Sequence, residues 1–330
     1  MKSTLSDRSA ERARLAPTGD SAAPRSKSAS PRADTRGLSN VPFDPVLQWG
    51  VAKCGFPAMW NTLDVEGSDP GPIGLIDNGS HHRHPELADR IVDYIPPRGT
   101  ESIADHASSV AGIISARRGE VAVEGRDLYG CCSARLVLYN VWTRDAGVED
   151  AAIVRALNDA VKRKLPVVNM SVTAETNNPD IAKALARCAA ANLIVVAAAG
   201  NCGLKSPILY PAADENVIAV AATDPDDNRW YDSTVSKSVF IAAPGQRIWS
   251  VVGDSDYDYV DGTSFAAPFV TAAIWLAKRR HPALSLEEAK DLLRLSVSDP
   301  GRPRDNKLGY GRLDMPNLLN ALDSKYRKKY

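Results

Sequence analysis

Four residues far apart in this 330-residue chain carry, between them, the groups that acyl transfer requires: Asp77, His106, Asn201 and Ser264. That chemistry needs a nucleophilic hydroxyl and an imidazole to take its proton. It also needs a carboxylate to fix the imidazole tautomer and a donor for the developing oxyanion. Taken one at a time, each residue has a plainer reading. Ser264 lies in "YVDGTSFAAPFVTAA" (259–273), where a Gly-Thr-Ser turn breaks into an Ala-rich helix. A serine there is a good helix cap, and the free N–H groups and helix dipole also favour negative charge on it. Asp77 closes an apolar run, as the first residue of an Asx turn does. His106 opens "HASSVAG" (106–112), where a hydrogen-bonded structural imidazole is ordinary, and Gly200–Asn201 has the composition of a turn.

The elements that would position these residues are legible in the hydrophobic pattern. "PIGLID" (72–77), "ARLVLYNVW" (134–142), "LPVVNMSV" (165–172), "NLIVVAAAGN" (192–201) and "NVIAVAAT" (216–223) are short apolar runs that read as buried strands. Helical spacing covers 106–117, 149–164, 178–191, 264–280 and 285–297, the last opened by a Ser285/Glu288 capping box. Strands alternating with helices predict an α/β fold: a mostly parallel sheet covered on both faces. Functional residues in such sheets collect at the C-terminal strand edges. Asp77, Ser171 and Asn201 all fall there, and the set is far more specific than any member.

At this point the chain resembles the subtilisin-like serine peptidases. The resemblance runs from about Trp49 to Leu313. It rests on "GLIDNG" (74–79), "HPEL" (84–87), "HASSVAG" (106–112), "VVNMSV" (167–172) and "VVAAAGN" (195–201), followed by "YPAADENVIAVAAT" (210–223), "IAAPG" (241–245) and "DGTSFAAP" (261–268). "WGVAKCGFPAMWN" (49–61) looks like the family's lead into its first catalytic strand. The resemblance implies a three-layer sandwich and a serine endopeptidase in which Asp77 orients His106, His106 is general base and then acid, and Ser264 is the nucleophile. It places the oxyanion donors at the Asn201 side chain and the Ser264 backbone N–H. Substrate contacts map to Ser171, Val172 and Thr173, an edge for β-augmentation by the peptide, and to Ala199, Gly200 and Leu209. Pro268 is expected in the first turn of the nucleophile's helix, where missing N–H groups cost little.

The chain also departs from the family. Ala107 stands where Gly is usual and Ser109 where a second His is usual. Thr173 stands where Gly is usual, and Leu209 takes a position that is normally small. The last two changes predict a narrowed primary pocket and small P1 side chains. The competing reading is a catalytically silent relative that binds peptides or acts as a scaffold. A nucleotide-binding α/β protein is disfavoured, because no phosphate-cradling glycine loop is present.

Composition sets the surroundings. Forty basic and forty acidic residues cancel, which argues against nucleic acid or an anionic membrane as partner, and the expected partner is a protein or peptide substrate. No apolar run approaches a membrane span, and the first thirty residues hold no signal-like core. With five cysteines and no C-x-x-C spacing, free thiols in a cytoplasmic setting are expected. Residues 1–40, with eight basic and four acidic side chains, read as a disordered, mildly basic tail, 41–320 as the peptidase domain and 321–330 as a basic C-terminal tail. The N-terminal tail is too short and polar for a folded inhibitory prodomain, so the resemblance implies a peptidase that either needs no prodomain or is restrained by a regulatory partner. No cofactor is required for catalysis and no metal site is assigned. "HHRH" (81–84) reads as surface loop leading into the "HPEL" turn, and structural calcium, common in the family, has no clean oxygen-ligand spacing here. "DPDDN" (224–228) reads as a turn, and Cys202, next to Asn201, as a buried thiol.

Overall fold

The computed structural model describes residues 44–330 except 65–66, 80–82, 101–104, 119–127, 174–177, 205–206 and 327–330. The expected N-terminal tail, His81 and His82 lie outside the described residues. In chain order the elements begin with α1 (Trp49–Lys53), β1 (Ile73–Asp77), β2 (Ile91–Ile95), α2 (His106–Ser115), β3 (Leu136–Asn140), β4 (Trp142–Thr143) and β5 (Gly147–Val148). They continue with α3 (Asp150–Lys162), β6 (Val167–Met170), α4 (Pro179–Ala190), β7 (Ile194–Ala198), β8 (Val217–Thr223) and β9 (Val239–Pro244). The last are β10 (Ile248–Val252), β11 (Asp256–Val260), α5 (Thr263–Arg280), α6 (Leu286–Leu295) and α7 (Met315–Tyr326).

Seven strands form one sheet in the order β2-β3-β1-β6-β7-β8-β9, every pair parallel. Each strand feeds both faces. Val167, Ile194 and Val196 join the core that holds α2 and α5, while Val168, Val195 and Ala197 join the core under α3 and α4. Period-two alternation into two dry layers explains why these runs are apolar throughout rather than alternating with polar residues. The chain order reverses at β1, with β3 and β2 on one side and β6 onward on the other. Open parallel sheets carry their ligand crevice at such a switch point.

α5 is the central helix of one layer. From Thr263 to Lys278 every residue is buried except Ser264. Ala266, Ala267, Ala272 and Ala273 keep it thin enough to lie against the sheet and α2, and a larger side chain at any of them would cost about 1–3 kcal/mol by overpacking. The capping box at α6 forms as the sequence indicates, with Ser285 and Glu288 satisfying each other's backbone donors.

Four features were not legible in the pattern. β2 and β9 are edge strands, one only half-buried and the other ending in proline. The antiparallel hairpin β10–β11 carries its apolar positions in short alternating runs. α7 runs through the expected domain end at 320: Ala321 and Leu322 are buried, and the helix continues to Tyr326. The apolar spacing of Met315, Leu318, Ala321 and Leu322 continues up to the basic residues after 324, so the folded part extends to the end of that helix at Tyr326.

Candidate active site

β1 delivers Asp77 to the sheet's C-terminal edge and α2 begins at His106. The turn after β1 ties the two together, because Asn78 O accepts the Ala107 N–H at 3.2 Å. Asp77 is fully buried, and its Oδ1 accepts from His106 Nδ1 at 2.5 Å and from the Asn78 N–H at 2.6 Å. A carboxylate on Nδ1 fixes the imidazole tautomer and leaves Nε2 as the nitrogen that can accept a proton. Burial works against a charged imidazolium. The Asp77 charge and hydrogen bond outweigh it, so His106 lies above its ordinary 6.5.

Ser264 is not the helix cap. Gly262 caps α5, and Ser264 is the second helical residue, among the first N–H groups that have no intrahelical partner. Gly262 has φ +149°, a conformation that side chains rarely adopt, and a Cβ there would stand 3.3 Å from Asn201 Nδ2. Thr263, whose role no local sequence pattern marks, orients the Asn201 amide. Its N–H and Oγ1 both donate to Asn201 Oδ1, at 3.0 and 2.8 Å, while Oγ1 accepts the Gly200 N–H at 3.0 Å. With Oδ1 committed, the amide Nδ2 is the exposed donor. Phe265, next to Ser264, packs its ring against His106 at 5.2 Å between centroids.

Ser171 follows β6, and its Oγ donates to Ser264 O at 2.9 Å. Pro268 explains the need. It stands inside the helix, one turn beyond the expected position, and its missing N–H would have bonded that carbonyl. A cleft of about 940 Å³ brings Ser171, Val172 and Thr173 together with Asn78, His106, and the β4–β5 hairpin residues Trp142, Gly147 and Val148. Gly200 lies near Thr173, whose methyl is 4.0 Å from where a Gly200 Cβ would be. Ala199 is buried with Ala221, Val239 and Ala242, and its N–H donates to Val220 O at 2.9 Å. Leu209 is half-buried and outside the residues lining this cleft.

The remaining sequence features have structural partners. His84 is buried, accepts the Glu86 N–H at Nδ1 (3.2 Å) and meets Asp256 O at Nε2 (3.2 Å), and burial lowers its pKa. "DPDDN" is a turn closed by Asp224 Oδ1, which accepts the N–H groups of Asp226 and Asn228, both at 2.9 Å. Among the described residues, no three His, Cys, Asp or Glu side chains gather as for a metal ion, and no helix is long and apolar enough to cross a membrane. All five cysteines are free thiols. Four are buried, with burial pushing Cys54 and Cys188 up to about 12, whereas Cys202 is half-buried rather than enclosed.

A model of the subtilase family matches residues 72–311. Thermitase of Thermoactinomyces vulgaris is 30% identical over 246 residues, covering 72% of this chain and 84% of that protein. Subtilisin BL of Lederbergia lenta is 30% identical over 257 residues, 77% of this chain and 93% of its own. Subtilisin NAT of Bacillus subtilis subsp. natto is 27% identical over 272 residues, 81% and 69% respectively.

Proposed function

The chain belongs to the subtilase family of serine endopeptidases, and on that footing we propose that it cleaves peptide bonds through an acyl-enzyme on Ser264. His106 Nε2 takes the Ser264 proton as Oγ attacks the scissile carbonyl. Asp77 stabilises the imidazolium that results, which then protonates the leaving amine. The Asn201 Nδ2 and Ser264 N–H donors receive the oxyanion. Water repeats the sequence to release the acyl group. The observation that carries this reading is the 2.5 Å bond from His106 Nδ1 to the buried Asp77 carboxylate, at the edge where Ser264 is the one residue of the first turn of α5 that is not buried.

The substrate lies as an extended strand between Ser171–Thr173 and the β4–β5 hairpin, and takes small residues such as Ala, Ser or Gly at P1. The support is the added bulk of Thr173 next to Gly200. A cytoplasmic or otherwise reducing setting is proposed from the five free thiols, two of them vicinal. Covalent labelling with a fluorophosphonate tests the core of the reading. Wild type should label and Ser264→Ala should not; folded wild type that stays unlabelled would favour a silent, peptide-binding relative. A peptide library dominated by Phe or Arg at P1 would refute the pocket assignment, and cell fractionation tests the location.

A further inference from the structure

Asn140 is the last residue of β3 and the register partner of Asp77 in the adjoining strand. Only 3% of it is exposed. Its Oδ1 accepts two backbone N–H groups, Gly79 at 3.2 Å and Trp142 at 3.0 Å, and its Nδ2 donates to Tyr94 Oη at 3.2 Å. The two N–H donors belong to different parts of the site. Gly79 ends the turn that starts at Asp77, has φ +70°, and follows the Asn78 carbonyl that holds the first turn of α2. Trp142 opens the β4–β5 hairpin, where it pairs with Val148, and both line the cleft.

We infer that Asn140 is a positioning residue whose amide couples the turn behind Asp77 and His106 to the hairpin that walls the peptide cleft. The inference rests on the triad reading above. One oxygen receives both N–H groups, so the turn and the hairpin cannot shift independently without orphaning a buried donor, which is costly in this setting. Peptide seated along Gly147 and Val148 therefore bears on the same amide that holds the catalytic turn. A purely structural asparagine would affect stability alone, whereas this one affects binding and proton transfer together.

The test uses the full chain, a chromogenic peptide substrate and three variants. Asn140→Leu, of similar volume without the acceptor, should lower kcat/KM at least tenfold, with KM raised and kcat lowered together and the acid limb of the pH profile displaced. Asn140→Asp presents an oxygen to both N–H groups and should restore most of the loss. If Asn140→Leu does not fold, Asn140→Ser, too short to span the two donors, takes its place with the same expectation. A folded variant with wild-type KM, kcat and acid limb overturns the inference, as does Asn140→Asp being as impaired as Asn140→Leu. Ser264→Ala, assayed alongside, separates the two claims. Retained activity there overturns the triad reading, whereas an inert Ser264→Ala with a normal Asn140→Leu overturns only this inference.

Discussion

The hydroxyl of Ser171 holds the backbone carbonyl of Ser264 at 2.9 Å, the same carbonyl that Pro268 deprives of its helical partner. The cleft edge and the first turn of α5 are thus one hydrogen-bonded unit. It extends inward, because Asn169 Nδ2 donates to Ser171 Oγ at 3.0 Å and Thr271 Oγ1 donates to Asn169 Oδ1 at 2.9 Å. Every member of that chain is buried or faces the site, so its cost when broken is set by low-dielectric surroundings.

Ser171→Ala should leave the Ser264 carbonyl and the Asn169 amide unpaired. The expected loss is about 1–3 kcal/mol of stability and roughly tenfold in kcat, or about 1.4 kcal/mol in the barrier, as the first turn of α5 loosens. Adding Pro268→Ala returns an N–H to that carbonyl and should recover part of both losses. A double-mutant cycle measured by denaturation and by kcat checks the coupling, and strictly additive effects would show the two residues to be independent.

The pH profile follows from His106. A general base works only when neutral, so kcat/KM should fall as pH drops through a value above the ordinary 6.5, where the Asp77 interaction holds the proton on. Asp77→Asn removes the charge, and burial, which lowers the value, then acts almost alone. The variant should lose about 10⁴-fold in kcat, and its residual activity should show an acid limb shifted to lower pH. A limb that stays in place would assign it to another group.

Thr263→Val tests how the oxyanion donor is aimed. The substitution keeps the shape and the backbone N–H to Asn201 but deletes the hydroxyl that bonds both Asn201 Oδ1 and the Gly200 N–H. With the amide held by one bond instead of two, kcat should drop about tenfold or more while KM changes little, because the lost interaction belongs to the transition state. A rise in KM alone would mean that Thr263 serves substrate binding.

How much of this was legible in sequence depended on whether chemistry or distance encodes it. The placement of Asp77, His106, Asn201 and Ser264 at or just beyond strand ends and helix starts could be read because local patterns mark those points. The central strands were legible because both faces are buried, giving continuous apolar runs. Thr263, Asn140 and the Ser171 hydroxyl were not, as their roles depend on partners up to 93 residues away that no local pattern encodes. β2 and α7 were missed for a different reason: each buries only part of itself, which blurs the periodicity.

Lys278 offers a test of stability independent of the site. It is 2% exposed on the last buried turn of α5, and Nζ donates to Asn192 O at 2.9 Å. Burial pushes its pKa from 10.5 down to about 8, outweighing the opposing charge of Glu288. Below about pH 8 the ammonium is charged in both folded and unfolded chains, and the fold bears the full desolvation cost. Between about 8 and 10.5 the unfolded chain holds more protons than the folded one, so this group makes stability rise with pH across that window. Lys278→Met removes the charge while keeping the packed stem, and should gain about 1–3 kcal/mol at pH 7. Denaturant unfolding of both proteins at pH 7 and at pH 9.5 checks the sign: the variant's advantage should shrink at the higher pH as wild type sheds its buried proton. An advantage that stays constant would mean that Lys278 remains protonated throughout, with its ammonium satisfied where it lies.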